Sequence, residues 1–260
     1  TTQKGVIPMS QVIAIVNQKG DVAKTTTTVN LAAALVQQCE RTLCVDLDPQ
    51  ANLIMSRGCQ NPDELPYTIA DVIDKAIAEK PIYPSEGVIH HAEGIDLMPS
   101  SIQLSGYEPL LINEYGRENM LRQYVDAARP FYDHIPIDCQ SSLNILTINA
   151  LVAADSVLIP TQPQFFSAKG LELLFQTYSK VRHKMNPDLK IEGVLVTMMD
   201  KRPNFTKDVV ELIRSTYGGN VKVFDSEIPM SVRAIECGAE GKSIFAHDPK
   251  GKFASATALS

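Results

Sequence analysis

The stretch Val12-Ile-Ala-Ile-Val-Asn-Gln-Lys-Gly-Asp-Val-Ala-Lys-Thr-Thr26 decides the fold of this chain. Its first part, Val12 to Val16, is a continuous apolar run of strand length, which is typical of a strand buried on both faces of a parallel sheet. A turn containing Gly20 follows, and apolar residues at helical spacing predict a helix from Thr25 to about Gln38. The stretch therefore predicts the strand–loop–helix opening of a βαβ unit.

Strand and helix patterns alternate along the rest of the chain, which predicts a doubly wound α/β fold, a mostly parallel sheet with helices on both faces. Pro136 is an unfavourable residue inside one predicted strand, because it has no N–H to donate to a neighbouring strand. The predicted strands after the first are 42–47, 94–99, 134–139, 156–161, 191–198 and 221–224, and the later helices are 68–79, 101–129 with a break near Pro109, 143–152, 168–183 and 206–217.

Length and composition predict one domain. The chain has 260 residues, 44% of them hydrophobic, which suffices for one large core. We expect residues 1–10 to form a short tail and residues 11–260 to form the domain. No apolar run reaches the ~18–20 residues of a membrane helix, and no signal-peptide pattern is visible. Five scattered cysteines without a CxxC pair fit a reducing compartment. These features predict a cytoplasmic protein with no membrane partner.

The turn after the first strand has features of a phosphate-binding loop. Lys24 and Thr25 supply the last two positions of the pattern GxxxxGK[ST], at a predicted helix start. Backbone N–H groups and the helix dipole favour phosphate there. Lys24 would reach the β- and γ-phosphates, and the Thr25 hydroxyl would bind Mg²⁺. Gln18 and Ala23 occupy the two glycine positions, so an ordinary turn with a lysine in the first helical turn is an alternative.

Carboxylates at other strand ends favour the phosphate-loop interpretation. The second strand ends in Asp46-Leu-Asp48, the strand 134–139 contains Asp138 near its end, and Lys19 lies five residues before Lys24. The carboxyl ends of parallel strands meet at the crevice where α/β sheets bind ligands. Three aspartates beside a Lys-Thr helix start therefore predict a site for a nucleotide with Mg²⁺.

At this point the sequence resembles the ParA/Soj partition ATPases, within the MinD/ParA class of deviant Walker A P-loop ATPases. The resemblance covers almost the whole chain in several ordered motifs. These motifs are Asn17-Gln-Lys-Gly followed by Lys-Thr-Thr-Thr27, Asp-Leu-Asp-Pro-Gln50, Ile-Asp-Cys139, Leu-Thr-Ile-Asn-Ala-Leu151, Glu192-Gly-Val-Leu-Val-Thr197 and Asp248-Pro-Lys-Gly251.

The resemblance implies roles in ATP hydrolysis. Lys19 matches the signature lysine, which contacts phosphates across a nucleotide-sandwich dimer, and Lys24 matches the Walker lysine. Asp48 matches the aspartate that positions the attacking water, and Asp138 matches the carboxylate that holds Mg²⁺ through water. Asp46 would either orient the Mg²⁺ shell or cap its strand. The implied contacts to ATP or ADP are Lys19, Gly20, Asp21, Val22, Ala23, Lys24, Thr25, Thr26 and, near the adenine, Pro229.

The resemblance also implies partners. Members of the family form a homodimer on ATP binding, bind DNA nonspecifically and respond to a centromere-binding, ParB-like protein. The matching basic positions are Lys201, Arg202 and Arg233. They fall in the one part of an acidic chain, of net charge −6, where basic residues outnumber acidic ones. Lysine and arginine contacts to phosphate produce nonspecific affinity. We therefore expect a nucleoid-associated protein.

Departures from the family pattern keep a second function open. Asp21 and Ala23 replace loop glycines, and Asp21 places a carboxylate in a loop meant for phosphates. Its side chain either points to solvent or faces the phosphates. Ser141 and Met230 stand where the family more often has proline and arginine. The alternative is a hydrolysis-deficient or ADP-locked regulatory protein. A MinD-like membrane ATPase would need a basic amphipathic C-terminal helix, and residues 253–260 carry no charge.

Overall fold

The computed structural model describes residues 10–164, 167–200 and 204–251. The strands within these ranges form one eight-stranded sheet. They are β1 Gln11–Ile15, β2 Leu43–Leu47, β3 Ile89–His90, β4 Asp96–Met98, β5 His134–Cys139, β6 Ser156–Thr161, β7 Lys190–Met199 and β8 Val223–Pro229. Their order in the sheet is β3-β4-β2-β5-β1-β6-β7-β8. Short β3 is antiparallel to β4, and every other neighbouring pair is parallel.

Helices cover both faces of the sheet. Alternate residues of β1 enter different core clusters, because successive side chains of a strand point to opposite faces. The helices are α1 Lys24–Gln37, α2 Asn52–Met55, α3 Ile69–Ile77, α4 Tyr107–Leu111, α5 Met120–Ala128, α6 Ile145–Ala153, α7 Ser167–Lys184, α8 Asn204–Tyr217, α9 Val232–Ala239 and α10 Ile244–His247. In the part of the chain that the structure describes, none of them has the length and apolar character to cross a membrane.

The predicted fold class is confirmed, and the main differences concern short elements. β8 runs over Val223–Pro229 rather than 221–224, since an edge strand tolerates the charged residues that interrupt its apolar pattern. The predicted helix 101–129 is divided into two 3₁₀ turns and the helices α4 and α5. The elements β3, α2, α9 and α10 were not predicted. The tail 1–10, except Ser10, and the Ala-rich end of the chain lie outside the described residues.

Pro136 lies in the middle of β5, which is a central strand. It pairs in register with Ile13 of β1 and is buried. The parallel pairing with β1 nevertheless runs from His134 to Asp138. The missing N–H of Pro136 thus removes one backbone hydrogen-bond donor from the sheet but does not end the strand. Proline is generally confined to the edges of sheets, and β5 is an exception.

The strand order places a ligand crevice beside β1. After β1 the chain crosses to β2, on the β5 side of the sheet, whereas after β5 it crosses back past β1 to β6. Such a reversal is a topological switch point, and ligands of open α/β sheets bind there, outside the carboxyl ends of the strands. The turns after β1, β2 and β5 all lie at this edge, since the three strands are parallel.

A buried amide outside the crevice gives a test of the fold. Asn186 Nδ2 lies 3.0, 3.2 and 2.7 Å from the carbonyl oxygens of Leu151, Val152 and Ala154, at the end of α6. We predict that Asn186→Ala lowers the free energy of unfolding by about 1–3 kcal/mol, because it leaves buried carbonyls without a donor. Urea denaturation without nucleotide measures this. The exposed Asn220, changed to Ala, is the control, and an equal effect of both substitutions contradicts the assignment.

Candidate functional site

A cleft of about 740 Å³ opens at the carboxyl edge of the sheet. Loop residues 20–26 line it, as do Asp48 and Pro229, so the structure brings most of the predicted nucleotide contacts together. Sequence reasoning did not identify several other residues of the wall. Four of them follow the ends of β2 and β5, a position that signals the crevice, whereas the two methionines reach it only through the tertiary fold. They are Gln50, Asn52, Gln140, Ser141, Met198 and Met230.

The backbone of the loop explains why this kind of site favours glycine. Asp21 has φ of 56° and Ala23 has φ of 61°, both in the left-handed region. Glycine enters that region without cost, aspartate tolerates it, and alanine does so with strain. Ala23 is the N-cap of α1, and its side chain cannot accept a hydrogen bond from the first N–H groups of the helix. The open N–H groups at the start of α1 are therefore available to an anion.

Lys24 begins α1 and is almost fully buried. Its Nζ donates to Ser141 Oγ at 2.6 Å and to the carbonyl oxygen of Lys19 at 3.3 Å. Burial lowers the pKa of the Lys24 ammonium, and the nearby Asp138 carboxylate opposes this shift. A cation held this way at a helix N-terminus is suited to contact phosphate oxygens.

Asp138 is the buried carboxylate of the site, with 1% exposure. The Thr25 hydroxyl donates to its Oδ2 at 2.6 Å, and the Thr28 hydroxyl lies 3.3 Å from its Oδ1. Burial raises the pKa of Asp138, and both the Thr25 hydrogen bond and the charge of Lys24 oppose that shift.

The oxygen atoms of Thr25 and Asp138 fit the needs of Mg²⁺. This ion prefers oxygen ligands, takes few of them from protein and keeps waters and substrate phosphates as the others. The described ranges contain no cluster of three or more His, Cys, Asp or Glu side chains that could hold a metal alone.

The two aspartates at the end of β2 differ in their contacts. Asp46 is fully buried, and its oxygens accept the N–H groups of Asp48 at 3.1 Å and Ile54 at 3.3 Å. Both Asp46 oxygens thus accept hydrogen bonds from backbone N–H groups, which favours the strand-capping alternative over a place in the Mg²⁺ shell. Asp48 is half-buried and lines the cleft, where its Oδ1 accepts the N–H of Gln50 at 2.9 Å.

The Lys19 side chain does not face the cleft. Its Nζ donates to Gln164 Oε1, and its N–H donates to Asn17 Oδ1 at 3.0 Å. Of the described residues predicted to contact nucleotide, Lys19 alone does not line the cleft. Its ammonium is therefore not directed at the phosphate site of its own chain.

Of the predicted DNA-binding residues, Lys201 and Arg202 lie outside the described residues. Arg233 lies on α9, with its side chain 60% exposed and paired with Asp248 at 2.9 Å. DNA phosphate would have to compete with this carboxylate for the guanidinium.

A second cavity, of about 350 Å³, lies between α1 and the sheet and shares Ala23, Thr26 and Ile228 with the cleft. Its walls are largely apolar, with Ile13, Leu158 and Phe224 among them. Since phosphate needs cations and N–H donors, the cleft rather than this cavity is the candidate site.

These features define a P-loop nucleotide-binding α/β protein, and comparisons give its family. A family model described as an AAA domain matches residues 10–191. The chain is 41% identical to the sporulation initiation inhibitor protein Soj of Bacillus subtilis, covering 95% of this chain and 94% of Soj. It is 42% identical to the chromosome partitioning protein ParA of Myxococcus xanthus, covering 96% and 86%. The chain therefore belongs to the ParA/Soj family of P-loop ATPases.

A solved structure agrees with this fold. The cobyrinic acid a,c-diamide synthase from Mycobacterium smegmatis, with bound ATP analogue and magnesium, superposes with a TM-score of 0.79. It is 35% identical, and the match covers 94% of this chain and 97% of that one.

Asp21 is exposed in this chain, so its charge rather than a buried contact is the property to test. We predict that Asp21→Asn and Asp21→Gly both bind ATP more tightly than the unchanged protein, because both remove a negative charge from the phosphate loop. Calorimetric titration with Mg²⁺ and ATP measures the affinities.

The pair of variants also separates charge from backbone. Asp21→Asn keeps the side-chain shape, whereas Asp21→Gly also relieves the left-handed backbone. A gain only in the glycine variant assigns the effect to the backbone, and unchanged affinity in both contradicts the prediction.

Proposed function

We propose that this chain is a DNA-partition ATPase that binds ATP with Mg²⁺ and hydrolyses it. The observation that carries the proposal is the contact of 2.6 Å between the Thr25 hydroxyl and the Asp138 carboxylate, beside the buried ammonium of Lys24. The contact supports a Mg²⁺-binding role for Thr25 and Asp138 and a phosphate-binding role for Lys24, at the open N-terminus of α1. ATP, ADP and Mg²⁺ are the ligands that this arrangement and the family support.

The proposed roles follow from the chemistry of phosphoryl transfer, which depends on positioning and charge neutralisation. The N–H groups of the loop cradle the phosphates, and Lys24 neutralises charge on the β- and γ-phosphates. Thr25 directly and Asp138 through water would hold Mg²⁺, which supplies further neutralisation of the same phosphates. Asp48, half-buried on the cleft wall, would position the attacking water. Asp46 would hold the Asp48 turn in place.

A homodimer with ATP between its subunits would explain the orientation of the Lys19 side chain. Its side chain turns away from its own cleft to Gln164, although the family resemblance assigns it a phosphate contact. In a sandwich dimer this lysine would reach the phosphates bound to the partner. ATP binding and hydrolysis would then control assembly of the dimer.

The dimer would bind DNA nonspecifically, and a ParB-like protein would stimulate hydrolysis and release. Relatives named for chromosome partitioning support this part of the proposal. The exposed Arg233, with Lys201 and Arg202, would supply contacts to DNA phosphate. A protein with this cycle would associate with the nucleoid.

The second candidate function is a hydrolysis-deficient or ADP-locked regulatory protein. One observation favours it, since Asp21 lines the same cleft as Lys24 in a backbone conformation that suits glycine. The added negative charge disfavours ATP more than ADP because ATP carries the additional γ-phosphate.

Two variants test the proposed ATPase. Lys24→Ala should lose at least about 10-fold in ATP affinity, because charge-assisted hydrogen bonds to phosphate are worth roughly 1.5–3 kcal/mol. Asp48→Ala is the matched variant and should bind ATP normally but not hydrolyse it. Calorimetry and phosphate release measure the two steps. Unchanged ATP affinity in Lys24→Ala would overturn the assignment, and bound ADP without turnover in the unchanged protein would favour the second candidate.

The DNA proposal predicts an effect at Arg233 that depends on ATP. Arg233→Ala should weaken binding to nonspecific duplex DNA and reduce its salt dependence, because a phosphate contact is lost. Arg41→Ala is the control, since Arg41 is also exposed and paired, with Asp133 at 2.7 Å, but lies before β2 at the opposite edge of the sheet. Fluorescence anisotropy at several salt concentrations measures both. Equal losses in the two variants would refute a specific role for Arg233.

A further inference from the structure

The turn after β5 presents a hydroxyl group to the phosphate loop. Ser141 lines the cleft, and its Oγ lies 2.6 Å from Lys24 Nζ. A Cβ atom added to Gly20 would lie 3.8 Å from the same oxygen. Ser141 Oγ therefore lies beside the phosphate loop, on the wall of the cleft that Lys24 also lines. The family more often has proline here, which has neither a hydroxyl nor an N–H to offer.

The hydrogen bond to Lys24 leaves Ser141 able to donate. A lysine ammonium has donors only, so Ser141 Oγ accepts in this contact and keeps its own O–H free for a further acceptor. Among the described residues, this O–H donates no hydrogen bond. The cleft is exposed at this point, and an oxygen of a bound phosphate is an acceptor of suitable charge.

Neighbouring side chains hold the turn in place. Asn144 Oδ1 caps α6 by accepting the N–H groups of Leu146 and Thr147. Gln140 Nε2 donates to the same oxygen and to Glu108 Oε1, each at 2.9 Å. The Thr147 hydroxyl donates to the carbonyl oxygen of Ser142 at 2.6 Å. Ser141 thus stands on a braced turn, which reduces the entropy lost when it binds a ligand.

The position of Ser141 favours a contact with the β- or γ-phosphate of a bound nucleotide. Lys24, which Ser141 contacts, is the P-loop lysine that reaches the β- and γ-phosphates. Thr25 and Asp138, which would hold Mg²⁺, also neighbour Lys24: Thr25 follows it in the chain and the Asp138 carboxylate acts on its ammonium. The N–H groups of the loop and of α1 would surround the inner phosphates, which leaves the wall formed by the β5–α6 turn for the terminal phosphate.

We propose that Ser141 is a ligand of the terminal phosphate of ATP and donates its O–H to a γ-phosphate oxygen. The proposal rests on the proposed nucleotide site and deepens it. Ser141 would distinguish ATP from ADP, because only ATP carries the acceptor. The chain would thereby gain a donor for the γ-phosphate in a loop whose Asp21 adds negative charge.

The test compares two nucleotides on two variants. The non-hydrolysable analogue AMPPNP and ADP, each with Mg²⁺, are titrated against the unchanged chain, Ser141→Ala and Ser142→Ala. Ser142 is the matched control because its Oγ is buried without a hydrogen-bond partner and does not line the cleft. For Ser141→Ala we expect AMPPNP to bind about 10-fold more weakly and ADP to bind unchanged, since one charge-assisted hydrogen bond is lost. Ser142→Ala should leave both affinities unchanged.

The outcomes separate this proposal from the nucleotide site itself. Unchanged ADP binding shows that Ser141→Ala retains a folded site. Equal losses for AMPPNP and ADP would overturn the proposal and assign Ser141 to the orientation of Lys24 alone. Unchanged or tighter AMPPNP binding would overturn it as well. Failure of the unchanged chain to bind either nucleotide would instead refute the proposed function.

Discussion

The carboxylate of Asp138 is the constraint on which the site depends. It is buried at the end of β5, where an unpaired charge would be costly, so it requires hydrogen bonds. The hydroxyls of Thr25 and Thr28 on the first turns of α1 meet this need. Ile15, the last residue of β1, pairs in register with Asp138. The start of α1 and the end of β1 are thus both held at Asp138, and the connecting loop must close over it.

This closure explains the conformation of the loop. The chain leaves β1 and returns to the N-terminus of α1 with two residues, Asp21 and Ala23, in the left-handed region. A hydroxyl from β7 fixes the loop on the other side, where Thr197 Oγ1 donates to the carbonyl oxygen of Val22 at 3.0 Å. Strained backbone of this kind persists where surrounding contacts determine it, and it is common at ligand sites. The same geometry leaves the first N–H groups of α1 open to a ligand.

The sequence allowed the central sheet and half of the site to be predicted. β1 is a continuous apolar run and β2, β5 and β6 are mainly apolar, which is the pattern expected of strands buried on both faces. Lys24, Thr25 and Asp138 have fixed places at strand and helix ends. Short elements such as α9 were missed because contacts with the sheet, and not periodicity, decide them. Met198 and Met230 line the cleft only because β7 and β8 extend the sheet beyond β6, which no local pattern encodes.

The charges around Lys24 leave the site with an excess of negative charge. Asp138, Asp48 and Asp21 all act on this one ammonium, each raising its pKa against the effect of burial. Lys19, the other cation of the loop, is directed to Gln164 and away from the cleft. A single chain thus meets the several negative charges of ATP with more carboxylates than cations. Coulomb repulsion of this kind is offset only by added positive charge. On the proposed function, Mg²⁺ and the partner subunit's lysine supply it, so nucleotide binding and dimer assembly are linked through the electrostatics of one site.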